Sequence, residues 1–338
     1  MLRRTKEICI RILKFTFNFD VLIAIRLVVI PILFRNKSAY AHNEYKHSVI
    51  TNYLKKKYKK LINRFRTRNN EVSHSLSENY PVWFFWWQGE ESMPEIINIC
   101  YQTLKYYSNG HTINLITQNN YPDFADIPGY IIKKLNSKRI TLTSFSDILR
   151  VCLLFEHGGL WLDSTILLTK PLSSLPEICK HLGFWSPKDN GNILKTCFRA
   201  GNWIIRESRW LAFCFYASKH NVLTEFIREM YFSYLKKTNI LIDYFIIDYF
   251  INIAYDTISD VRVMIDSVPE NNPMIHEIQH RLNLNHEYNK ILFDDVCKNT
   301  FFHKLTWKTE KGDFNKFTKN NKLTNYGHII NNFPPVKE

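Results

Sequence analysis

The chain has 338 residues, of which 45% are hydrophobic and 15% aromatic; that composition excludes a disordered protein and is long enough to bury a full core. Its formal charge of +14 suggests nucleic-acid binding until the charge is located: residues 1–70 hold 17 Lys and Arg against Glu7, Asp20 and Glu44, and the remainder is neutral. Charge confined to one end fits a local task such as holding an anionic surface, and no recognition motif accompanies it, so a nucleic-acid partner is set aside.

Seven scattered cysteines, without a C-x-x-C pair or zinc-like Cys/His spacing, fit reduced thiols in a cytoplasmic protein. In chain order, the first apolar passage is FTFNFDVLIAIRLVVIPILF, residues 15–34. Asp20 and Arg26 interrupt it and Pro31 would bend it, leaving less than the ~20 apolar residues that a span needs. A charge at mid-bilayer costs about 2.5–3.5 kcal/mol on insertion scales, so Arg26 alone does not exclude a span. No A-x-A cleavage site follows, which argues against a cleaved signal peptide.

The expectation is a helix lying on the inner face of the cell membrane, reinforced by KKKYKKLINRFRTR at 55–68, where Tyr58, Leu61, Ile62 and Phe65 interleave with basic residues. Each basic residue near an anionic surface contributes about 1 kcal/mol. The alternative is a core helix followed by a solvated basic linker. RNNEVSHSLSEN at 68–79 reads as a hinge, which divides the chain into a basic amphipathic arm (1–70), a catalytic body (80–310) and a polar tail (311–338).

From Pro81, short apolar runs alternate with helical stretches. VWFFWW and TINLIT read as strands; MPEIINICYQTLKYYS, IPGYIIKKLNS and TSFSDILRVCLLFEH read as helices; GLWLDSTILL reads as a strand bent in its middle. This order predicts an α/β domain with a mainly parallel sheet. RWLAFCFYASKHNVLTEFIREMYFSYLKK and LIDYFIIDYFINIAYDTI are expected to be covering helices.

The chemistry concentrates in SDILRVCLLFEHGGLWLDST, residues 146–165. Ser144 or Ser146 is expected to cap the helix, with Phe145, Leu149, Cys152 and Phe155 as its core stripe. Asp147 and Arg150, three apart, share a face. His157-Gly158-Gly159 ends the helix, and the strand LWL then delivers Asp163 to its carboxyl end, where ligands of open α/β sheets bind.

These residues suit the departure of a nucleoside diphosphate from a sugar, in which a divalent cation neutralises the developing charge. Asp163 is expected to bind the metal with Thr165 as a hydroxyl or water-bridged ligand. Asp147 is expected to accept hydrogen bonds from donor hydroxyls and Arg150 to orient the donor. The alternative is a structural Asp147–Arg150 pair and a turn-forming Asp163.

FSDILRVCLLFEHGGLWLDST resembles the S-D-x-x-R…GG-x-W/Y-x-D-x-D/T signature of glycosyltransferase family 32 and the glucosylating toxins, and it is most similar to the bacterial capsular polysaccharide synthesis protein family. FWWQGEESMP, LITQNNYPDFADIP, LIDYFIIDYF and HKLTWK fit the same pattern, so the resemblance spans roughly residues 80–310.

It implies a GT-A fold, a Rossmann-like mainly parallel sheet with additional C-terminal helices, using a nucleotide sugar and Mn²⁺ (or Mg²⁺) with retention of configuration. A UDP-sugar is the donor that family frequency suggests. Trp87, with the adjacent Gln88, is expected near the nucleotide base, Asn120 at base or ribose, and Lys304 or Lys308 at the diphosphate. Because Thr165 stands where a full DxD has its second carboxylate, His303 is the candidate to complete the metal site.

Asp248, four residues after Tyr244, is the candidate for an acceptor face of acid and aromatic ring; the alternative is a covering helix with surface acids. Trp83, Trp86 and Trp161 are expected to be packing residues. The reading is a cytoplasmic, membrane-associated glycosyltransferase that transfers a sugar to a surface-polysaccharide or lipid-linked glycan. The alternative is a catalytically inactive relative that binds glycan or a partner at the membrane.

Overall fold

The computed structural model describes residues 2–33, 38–67, 79–172, 176–189, 205, 207–308 and 314–334. The expected hinge at 68–79 falls, except for Asn79, outside these residues. The amino-terminal apolar passage is helical in two pieces. Helix α1 (Leu2–Asn18) stops before Asp20, whose carboxylate accepts from the Ile23 amide at 2.7 Å and restarts the chain as Val21–Ala24. A π-turn over Ile25–Val29 and a short helix over Ile30–Leu33 follow. This second piece folds back on α1, leaving a cleft of about 500 Å³ lined by Ile8, Arg11, Leu27, Val28 and Ile32. No helix among the described residues is long and apolar enough to cross a membrane.

Helices α2 (Ala39–Lys57) and α3 (Lys59–Arg66) lie against the body of the protein. Tyr58, Ile62 and Phe65, expected among lipid, are buried, with Tyr58 beside Tyr234 and Phe65 edge-on to Phe226. Ion pairs Lys46–Asp243, Lys55–Asp256 and Arg64–Glu229, at 2.8–3.0 Å, stitch the same contact. Lys56, Lys57, Lys59, Lys60 and Arg66 remain exposed on the outer side. Apolar and basic positions alternate in this segment because it has one core face and one solvent face.

The body begins with β1 (Val82–Phe85), α4 (Glu95–Tyr106) and β2 (Ile113–Ile116). Helix α5 (Leu142–His157) then leads into β3 (Gly159–Leu162) and β4 (Ile166–Leu168). After β5 (Phe184–Trp185) come β6 (Cys214–Ala217), α6 (Val222–Lys237), α7 (Ile246–Thr257), β7 (Phe302–Lys304) and α8 (Asn325–Asn332).

Five strands form one sheet in the order β2-β1-β3-β6-β5; β1 is parallel to β2 and β3, and β6 runs antiparallel between β3 and β5. Four of the five therefore point the same way, the mainly parallel α/β sheet expected from the alternation of elements. Strands β4 and β7 form a separate two-stranded antiparallel sheet.

Three expectations change. GLWLDSTILL is two strands of different sheets, because the chain turns at Asp163, where the Ile166 amide donates to the Asp163 carbonyl at 3.0 Å. Strand β6 replaces the start of an expected helix; all four of its residues are buried, so it lacks the alternation that marks a half-exposed strand. The α7 helix begins only after Phe245, which leaves Tyr244 outside it. The tail also docks on the body: the Tyr326 hydroxyl donates to Glu95 at 2.7 Å, and Lys316 pairs with the same carboxylate.

Candidate active site

Helix α5 is capped by Thr141, whose hydroxyl accepts from the Ser144 amide at 3.1 Å; Ser144 and Ser146, the expected caps, lie within the helix. The helix is sandwiched between the sheet and α6, and Phe145, Ile148, Leu149, Val151 and Cys152 are fully buried. Each large apolar side chain sealed this way contributes about 1.5–3 kcal/mol, so the helix is held firmly enough to aim polar groups. Phe155 is only half-buried, beneath the Arg228 guanidinium.

Gly158 and Gly159 turn the chain into β3 with φ of 70° and 105°. A Cβ on Gly159 would sit 2.1 Å from the Pro81 carbonyl, the group that accepts from Leu160 N, so glycine is required where β3 joins β1. Strand β3 then ends at Leu162, and Asp163 follows it directly.

At that point four charged side chains from three elements meet. Arg150 donates through Nη2 to Asp163 Oδ1 at 2.8 Å and pairs with Asp147 Oδ1 at 3.2 Å. Its Nη1 donates to the Ala212 carbonyl, and its guanidinium lies 4.9 Å from the Trp161 ring. Trp161 Nε1 donates to Asp163 Oδ1 at 2.9 Å, and Lys304 Nζ, from β7, donates to Asp163 Oδ2 at 2.8 Å. Lys304 rests over the Phe213 ring at 4.6 Å.

The Arg150 side chain is only 4% exposed, whereas Asp163 and Lys304 are 27% and 21% exposed. Arg150 thus holds the two aspartates from beneath, and the Asp163–Lys304 pair forms the accessible edge.

The two carboxylates are tuned apart. Burial is the largest influence on Asp147; Arg150 opposes it and the nearby Asp163 and Asp248 reinforce it, leaving the carboxyl pushed up to about 7. For Asp163 burial also acts upward, but Lys304 and Arg150 together outweigh it and hold the carboxyl below its ordinary range. At neutral pH Asp163 is therefore an anion with two cationic partners, while Asp147 is poised to exchange a proton.

The expected metal ligands are not brought together. Both Asp163 oxygens are occupied by cations. Thr165 is buried in the turn. His303 is fully buried, its Nε2 3.2 Å from the Thr169 hydroxyl, and as the neighbour of Lys304 along β7 it faces the opposite way. Burial pushes its imidazole down to about 3. Among the described residues no three His, Cys, Asp or Glu side chains are grouped to hold a metal ion. A divalent cation would have to displace an ammonium from the one accessible carboxylate, so this donor set does not fit one.

The other expected residues divide. Trp87 is half-exposed at the end of β1, stacked on Tyr121 with ring centroids 5.8 Å apart, and Gln88 beside it is exposed. The Asn120 side chain is spent locally, accepting from Thr117 N at 2.7 Å and donating to the Leu115 carbonyl at 2.9 Å. Lys308 is exposed over the Trp307 ring. Asp248 is buried at 3% and accepts from Trp210 Nε1 at 2.9 Å, so it is a core acid beneath the cluster, without the accessible acceptor face expected of it. Trp83 and Trp161 are buried, as expected of packing residues.

Sequence reading missed Tyr121, Phe213 and the Ala212 carbonyl; Tyr244, expected beside Asp248 on an acceptor face, instead lies near the aspartates. Tyr244 is 62% exposed and close enough to Asp147 and Asp163 to interact with both charges. Tyr121 lay within the LITQNNYPDFADIP stretch that fits the family pattern, whereas Ala212 and Phe213 are placed by β6, which the sequence did not announce.

The fold is α/β, a mostly parallel sheet flanked by helices, and the polar cluster stands at the carboxyl end of a parallel strand, where proteins of this class bind their ligands. The family model described as capsular polysaccharide synthesis protein matches residues 30–326, and the chain belongs to that family, as the SDILR–GGLWLDST resemblance implied. Membership is consistent with a glycosyltransferase-like enzyme of capsular polysaccharide synthesis. No curated protein matches the sequence significantly.

Proposed function

We propose that the protein is a glycosyltransferase that moves a sugar from a nucleotide-sugar donor to a surface-polysaccharide or lipid-linked glycan. The observation that carries this reading is the convergence of Asp147, Arg150, Asp163 and Lys304 at the end of β3. Asp163 and Asp147 offer carboxylate oxygens to donor hydroxyls, Lys304 offers an ammonium to the diphosphate, and Trp87 on Tyr121 offers a flat aromatic shelf for a base. The resemblance to family 32 transferases adds a GT-A architecture and retention of anomeric configuration to the proposal. A UDP-sugar is the first donor to try.

The reading includes attachment to the inner face of the cell membrane. Of the sixteen large hydrophobic side chains exposed among the described residues, nine lie between residues 10 and 40: Ile10, Leu13, Phe17, Val21, Leu22, Ile25, Ile32, Leu33 and Tyr40. The excess positive charge of the chain lies in the same terminal region. Exposed apolar side chains and excess positive charge in one terminal region suit an anionic bilayer surface, where a lipid-linked acceptor would reside.

The test is release of nucleoside diphosphate from a panel of nucleotide sugars. Wild type is expected to hydrolyse its donor slowly, and Asp147→Asn and Asp163→Asn are each expected to lower the rate at least about 100-fold. Unchanged rates in both variants would remove the site assignment, and no release from any donor would favour the glycan-binding alternative.

A further inference from the structure

The Asp163–Lys304 pair is explained neither by a metal site nor by a stability role. A partly exposed ion pair contributes at most about 1 kcal/mol, yet this one is built from two distant elements, β3 and β7, over an aromatic floor. The register Ile166↔Lys304 and the bond from Leu305 N to the Thr165 carbonyl at 2.8 Å fix the lysine backbone beside the turn that carries Asp163. The ammonium is thereby held at the accessible edge of the cluster, where a GT-A transferase would hold its divalent cation.

We propose that Lys304 does the work of that cation, and that transfer in this protein is metal-independent; this rests on the transferase reading above. Asp163 acts as the counter-ion that aims the ammonium, with Arg150 behind it. On donor binding the diphosphate takes a share of the ammonium from Asp163. In the transfer step the acceptor oxygen bonds to the anomeric carbon as the bond from that carbon to the phosphate oxygen breaks. The electron pair leaves on the diphosphate, whose added charge Lys304 neutralises, and the acceptor proton ends on the departing phosphate. Lys304 is thus assigned as a catalytic residue and Arg150 as a positioning residue.

Binding of UDP, GDP, CDP and inorganic pyrophosphate to the full chain, measured by calorimetry in EDTA and again with Mn²⁺, tests the proposal. Wild type is expected to bind pyrophosphate and one of the nucleotides in EDTA, with Mn²⁺ changing affinity by less than about threefold. Lys304→Met is expected to weaken both by about tenfold or more while melting at the wild-type temperature, and Lys304→Arg to recover most of the loss. Asp163→Asn is expected to keep pyrophosphate binding in EDTA, because the group that competes for the ammonium is gone. Binding that requires Mn²⁺ and disappears in Asp163→Asn would overturn the proposal while leaving the transferase reading intact. No binding of any probe under either condition would overturn both.

Discussion

Asp147 is the residue whose environment has the clearest measurable consequence. Its carboxyl titrates near 7 in the folded protein and near 3.9 in an unfolded chain. Below the lower value both states are protonated, and its contribution to folding is complete. As the pH rises toward 7 the unfolded chain releases this proton and the native one does not, so stability is lost, by at most about 1.4 kcal/mol per pH unit. Asp147→Asn is therefore expected to gain on wild type from pH 4 to pH 7 and to run parallel to it above. Urea unfolding across that range checks it; a constant difference would mean that folded and unfolded chains hold the Asp147 proton alike. The acids and cation of this cluster were readable from i, i+3 spacing and a Gly-Gly turn. Their neighbours were not: the burial of Asp248 and His303 depends on Trp210 and Thr169, contacts that no local pattern announces.

At the scale of elements, α1 and the piece folded back on it have apolar side chains on two faces. Phe15, Phe19, Ile23 and Leu27 are buried, while Leu13, Phe17 and Leu22 are 56–85% exposed. Replacing these last three with serine is expected to leave the melting temperature nearly unchanged, since exposed positions rarely matter to stability. The same change is expected to weaken binding to phosphatidylglycerol vesicles at least about tenfold in a sedimentation assay. Undiminished binding would show that the basic face alone is the anchor. The helices here were legible because their apolar periodicity is strong; β6 was not, because a short strand buried on both faces carries the same composition as a buried helix.

For the whole molecule, the decisive feature is that α2 and α3 belong to the core. Phe65 and Tyr58 cover Phe226 and Tyr234, and His47 reaches the Tyr249 hydroxyl. Uncovering four or so large aromatic side chains costs about 1.5–3 kcal/mol each, comparable to the 5–15 kcal/mol of an ordinary domain. A chain lacking residues 1–33 is expected to be soluble and to hydrolyse donor, whereas one lacking 1–66 is expected to be insoluble. Equal solubility of the two would show that α2 and α3 are dispensable. The α/β class and the parallel β2-β1-β3 core followed from the alternation of apolar runs. The docking of both ends of the chain did not, because polar segments with a few aromatics look alike whether they trail in solvent or clasp a partner surface.

The small β4–β7 sheet carries one more implication. Asp163 and Lys304 are 141 positions apart, so synthesis must run that far past the aspartate before the ammonium exists. Under the proposed reading, a chain shortened before β7 is expected to keep both aspartates and to lack the group that meets the diphosphate.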